Sequence, residues 1–203
     1  MNVGKSITKA IDEVLRLDYE SAMLHACNAI DGTAAKLHPT VKSNRARFTK
    51  LLRDNYVIFG PMCMPGINLV ETRFPINGLR PNVEGGKPDI ADVIYGIHRC
   101  THSHGDELPD GSELIQDLNS QVTRIGVGKG EVSLSDRTIF GLIAVAVCSP
   151  VNIGQSVPEG YYLTLNGVRM DINQWWGRAA DFASVSGLTV MPQVIMDFGD
   201  WMD

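Results

Sequence analysis

Long apolar runs are missing from this 203-residue chain. The longest, Ile139 to Cys148, is too short to cross a bilayer, so no membrane partner is expected. Cysteine is sparse: Cys27, Cys63, Cys100 and Cys148 lie far apart and form no C-x-x-C pair, which argues against a disulfide framework and fits reduced thiols. The basic-then-apolar order of a signal peptide is absent from the first residues, and a cytoplasmic location is the expectation. No internal repeat or low-complexity segment occurs. An excess of positive charge is lacking too. A net charge of -5 and a pI near 5.5 exclude a surface that is basic throughout, so any contact with nucleic acid has to come from a local patch.

Such a patch is present. Between Gly32 and Arg53 there is no acidic residue, while Lys36, Lys42, Arg45, Arg47, Lys50 and Arg53 supply positive charge. A helix over about Asn44 to Ile58 would put Phe48, Leu51, Leu52 and Tyr56 on one side and Lys42, Lys50 and Arg53 on the other, an outward RNA-binding face. The plainer reading of such a run is a solvated helix face.

Helical spacing of Ile7, Ile11, Val14, Leu15, Ala22, Ala26, Ala29 and Ile30 predicts one long helix, or two collinear ones, over residues 1–38, ended by Pro39. From Gly60 to Pro88 the period vanishes among Pro61, Pro65, Pro75, Pro81 and Pro88, which predicts a long loop, read as a lid, an interface arm or a disordered insertion. Asp89 then caps a helix whose stripe is Ile90, Val93, Ile94 and Ile97; Arg99 projects opposite that stripe and should be exposed. After a polar stretch with short β-like runs at 113–115 and 131–134, Ser135 and Asp136 cap a helix from Arg137 to Cys148. It is apolar nearly all round and therefore central. Asn166-Gly167 marks a two-residue hairpin pairing Leu165 with Val168, Leu163 with Met170 and Tyr161 with Ile172, all on one face. A last helix, Asn173 to about Val185, brings Trp175, Trp176 and Phe182 against it.

The chemistry concentrates in Ile97-His98-Arg99-Cys100-Thr101-His102-Ser103-His104-Gly105, where three of five histidines fall within seven residues. Arg99-x-x-x-x-His104 combines a permanent cation that can grip phosphate through a planar fork with a side chain that exchanges protons near neutral pH. These are the tools of phosphodiester cleavage without a metal.

Tyr95-Gly96-Ile97-His98-Arg99-Cys100-x-x-x-His104-Gly105, at the end of a helix in a mostly helical chain, resembles the Arg-Cys-x-x-x-His-Gly variant of bacterial members of the HEPN superfamily. The resemblance covers about the first 150 residues. It implies a mainly α fold, an antiparallel helical bundle over 1–150 containing the loop at 60–88, with 151–203 as an accessory hairpin and helix on the same domain. It also implies a metal-independent endoribonuclease, a toxin or phage-defence effector with no cofactor, cutting RNA by 2′-hydroxyl attack. Arg99 would stabilise the scissile phosphate and His104 would act as general acid or base, with His98, His102 and Cys100 as auxiliaries. Many members carry asparagine directly after the arginine; here Cys100 stands there. Residues five apart on one helix point about 140° apart, so a two-fold homodimer, which the resemblance also implies, would bring two motifs into one cleft. An antitoxin or regulatory protein is a further expected partner.

Other readings compete. The histidines would be polar residues at a helix end and Arg99 would pair with carbonyls, Asp106 or Glu107, leaving a non-catalytic HEPN-like module for RNA or nucleotide binding or for dimerisation. Alternatively His98 and His102, at i and i+4, would converge on a metal with His104 or Asp106, although no glutamate follows His98 as in metalloproteases. Gly126-x-Gly128-Lys129-Gly130 lacks phosphate-loop spacing and reads as a turn.

Overall fold

Apolar residues of the first third form two helices packed on each other, in a computed structural model that describes residues 2–76, 79, 87–100, 108–109, 111–128, 130–186 and 192–198. Helix α1 spans Val3–Leu15, with the Asn2 side chain accepting from the Lys5 amide, and α2 spans Tyr19–Leu37, with Asp18 accepting from the Ser21 amide. Between them Leu17 adopts φ 65°, and α2 folds back along α1 rather than continuing it. The predicted single or collinear rod is therefore a helical hairpin. The apolar spacing carries across the break, so periodicity missed a stop that the Asp18 cap signals.

Helix α3 (Asn44–Asp54), capped by Ser43, and α4 (Tyr56–Cys63) divide the predicted 44–58 helix at Asn55, whose side chain donates to the Leu51 carbonyl. The predicted loop accordingly starts later than Gly60. Its described part is packed on the core: Leu69, Thr72, Phe74 and Ile76 are buried. Residues 192–198 lie along it, with the Asn68 amide donating to Val194 O at 2.9 Å and the Val194 amide to Gly66 O at 2.8 Å.

Asp89 accepts from the Asp92 amide and starts α5 (Ile90–Val93), which runs directly into a π-helical turn, Ile94–Arg99. Strands β1 (Gly126–Gly128) and β2 (Glu131–Ser133) pair antiparallel around Gly130 at φ 79°, so the glycine-rich segment is part of a hairpin. Helix α6 (Thr138–Cys148) is buried at every position except Phe140, as its all-apolar surface predicts. Gly141 permits close approach to α4: a Cβ there would lie 2.9 Å from a ring carbon of Phe59 and 3.0 Å from Cys63 Sγ.

Strands β3 (Tyr162–Leu165) and β4 (Val168–Asp171) take the predicted register, Leu163 opposite Met170 and Leu165 opposite Val168, with Asn166 and Gly167 both at positive φ as the tight turn requires. The Ile172 amide extends the ladder to Tyr161 O. Val168, at the turn, is exposed while Leu163, Leu165, Met170 and Ile172 are buried. The predicted last helix is two pieces, α7 (Ile172–Trp175) and α8 (Ala179–Ser186), divided at Gly177 with φ 79°. Helix α8 packs on α4 and α6, and Trp175, Trp176 and Phe182 are buried. The fold is mainly α with a peripheral β-hairpin. Among the described residues no helix is long and apolar enough to cross a membrane.

Candidate functional site

Arg99 ends the π-helical turn, and its surroundings differ from the sequence expectation. Its Nε donates to Asp31 Oδ2 on α2 at 3.0 Å, and the two side chains are 19% and 17% exposed. Arg99 is thus half-buried rather than exposed. The reason is the winding: an α-helix sets a residue about 140° from the one five before it, whereas a π turn hydrogen-bonds from i+5 back to i. Arg99 is five residues after the buried Ile94, so the wider turn swings it back toward α2.

Two further side chains complete the first layer. The Arg99 guanidinium lies 5.3 Å from the Tyr95 ring centroid, and Arg45 of α3 lies 6.0 Å from the same ring. Phe48 meets Tyr95 edge-on at 5.3 Å between centroids and fixes the ring. Burial would depress the Arg99 guanidinium, but the Asp31 carboxylate overrides it and the group is held above its ordinary value, so it stays charged. Burial raises the Asp31 carboxyl above the usual range even though Arg99 pulls it down. Burial likewise raises the Tyr95 phenol.

The Asp31 bond uses only the Nε edge of Arg99. Among the described residues no hydrogen bond is formed by its two terminal Nη groups, the fork that suits a phosphate. Cys100 follows as a half-buried free thiol, and His98 is completely buried, on the side of the turn away from solvent. His102 and His104 lie outside the described residues. The sequence places Arg45 only in the basic run and Tyr95 only at the head of the motif, and it puts Asp31 in neither. Asp31 carried one signal, as a carboxylate among the buried Ile30, Gly32 and Thr33 of α2.

The predicted basic face splits. Lys42 and Lys50 are exposed, Lys50 paired with Asp54 at 2.7 Å. Arg53 turns inward instead, donating through Nε and Nη2 to Asp89 at 2.6 and 2.9 Å and through Nη2 to Asp92 at 2.8 Å, and Arg45 reaches Asp92 at 3.1 Å. Tyr56 donates to Asp89 at 2.8 Å. A helical projection places Arg53 opposite the α3 core stripe. It does not see the acidic first turn of α5 packing on that side. Burial tends to raise the Asp89 carboxyl, but Arg53 and the other donors prevail and hold it below the usual range. Arg53 is thereby a half-buried tie between α3 and α5 rather than an outward-facing cation like Lys42 and Lys50. Among the described residues no group of three or more metal-ligating side chains occurs.

No solved structure matches the chain. Two curated relatives, titled uncharacterized proteins of Mycobacterium tuberculosis and Mycobacterium bovis, are each 37% identical over 200 residues, covering 98% of this chain and 95% of their own length. The Rv1289 family profile matches residues 2–202, nearly the whole sequence, and the chain belongs to the Rv1289 family.

Proposed function

We propose that the Arg99 end of the π-helical turn binds the phosphodiester of RNA and that, with His104, it makes the protein a metal-independent endoribonuclease of the HEPN type. One observation carries this reading: Asp31 and Tyr95 fix the Arg99 guanidinium by its Nε edge and its face, while its Nη fork is unused by the described residues. A pre-positioned cation of this kind stabilises charge that develops on a phosphorane without having to reorganise. His104, five residues on, supplies proton transfer to the 2′-hydroxyl or the leaving oxygen. A homodimer brings two motifs to one cleft, and a toxin or phage-defence role restrained by an antitoxin is the biological setting proposed.

The Arg99 and Asp31 pair also favours a second reading, a non-catalytic RNA-binding or dimerisation module, because a cation already matched by a carboxylate has less charge to give a transition state. Cleavage assays on single-stranded RNA in excess chelator separate the two. Products ending in 2′,3′-cyclic phosphate, lost in Arg99→Ala and in His104→Ala, support the nuclease. Binding that depends on Arg99 without any cleavage supports the module.

A further inference from the structure

On the outer face of the α1 and α2 hairpin lies a notch of about 220 Å³ lined by Asn2, Lys5, Ser6, Lys9, His25 and Asn28. Every lining side chain is polar and none is a carboxylate. Lys5 and Lys9 are i and i+4 on α1, and His25 and Asn28 are i and i+3 on α2, so each pair shares a face of its helix. Among the described residues the side chains of Lys5, Lys9, His25 and Asn28 form no hydrogen bond or ion pair. Two ammonium groups, an imidazole and a carboxamide therefore meet at one depression with their donors unused. Like charges at i and i+4 repel each other, and an anion between them would relieve that repulsion.

The donors and the size together point to the ligand. The notch is open to solvent and, at about 220 Å³, is smaller than the roughly 300–1,000 Å³ typical of drug-sized ligands. A single tetrahedral anion with several acceptor oxygens suits the space and the donors. We infer that this notch is a phosphate-binding site, taking the phosphate group of either a small phosphate compound or a nucleic-acid backbone.

The charged groups that act on His25 come from both helices: Lys9 and Glu13 of α1 and Asp18 at the α2 cap. Burial first, and then Lys9, lower its pKa, while Glu13 and Asp18 oppose them. A bound phosphate places new negative charge beside the imidazole and must raise that value.

Histidine-ring NMR titrations, with the His25 signal assigned by its loss in His25→Gln, test the site. They are run at constant ionic strength with chloride, inorganic phosphate or a short single-stranded RNA. The site predicts a higher His25 pKa with at least one of the two phosphate probes and no such rise in chloride. A response to inorganic phosphate alone assigns a small phosphate compound, and a response to RNA alone assigns the backbone. The Lys5→Ala, Lys9→Ala double variant should lose the response, whereas Arg99→Ala should keep it, which separates this site from the Arg99 reading. No shift with either probe, an equal shift in chloride, or an undiminished shift in the double variant would overturn the inference.

Discussion

Arg99 reaches back from the end of its π-helical turn to Asp31, with Nε and Oδ2 3.0 Å apart, and this bond joins the motif helix to α2. The carboxylate holds the guanidinium by one edge and so acts as a positioning residue in the proposed reaction. Replacing Asp31 with asparagine keeps the shape and weakens the hold. RNA affinity should then change little, while the cleavage rate falls by up to ~10²-fold, the order of loss from misplacing a catalytic group. Equal rates in the variant and the parent would reduce Asp31 to a structural counterion.

The Arg53, Asp89, Asp92 and Arg45 cluster concerns stability. Asp89 is buried, and losing one partner of a buried pair costs about 3–5 kcal/mol; with Asp92 still facing Arg53, Asp89→Asn should fall near the lower end, measured by urea unfolding. The pH dependence follows from a folded-state pKa below the unfolded value of about 3.9. The stabilisation is complete above that unfolded value and is lost as pH falls through the lower folded one. Stability curves should therefore converge in acid, and curves that stay parallel would assign the acid limb to other carboxylates.

Turning Arg53 inward changes how the basic patch should be tested. Lys42→Glu with Lys50→Glu should weaken RNA binding and lower the slope of log affinity against log salt by about one for each phosphate the protein no longer neutralises. Arg53→Glu should act through stability, since it sets a third carboxylate beside Asp89 and Asp92. An unchanged salt slope in the double lysine variant would leave those lysines as a solvated face.

Legibility in the sequence followed the locality of the interactions. The β3–β4 register and the burial of α6 depend on nearest-neighbour pattern, and both were readable from Asn166-Gly167 and from the run Ile139 to Cys148. Breaks set by one residue were not: Leu17 in a left-handed conformation, Asn55 and Gly177 each divide a segment across which the apolar pattern carries on. Arg99 stands out in the sequence by its chemistry, but projection at 3.6 residues per turn turns it to solvent, whereas the π-helical turn swings it toward α2. Tyr95 lies four residues before Arg99 on the same turn, whereas Asp31 of α2, and Arg45 of α3 on the shared Tyr95 ring, are brought to the site only by tertiary packing.

Cleavage of single-stranded RNA by mixed variants tests the central claim most directly. Arg99→Ala and His104→Ala chains are assayed separately and after mixing, in excess chelator. Each alone should be lowered by roughly 10²- to 10⁴-fold, the range for removing a general acid–base group or a charge-stabilising donor. Mixing should restore part of the activity, because a shared cleft can then draw Arg99 from one protomer and His104 from the other. Full activity in both single variants, or cleavage abolished by chelator, would contradict catalysis by Arg99 and His104.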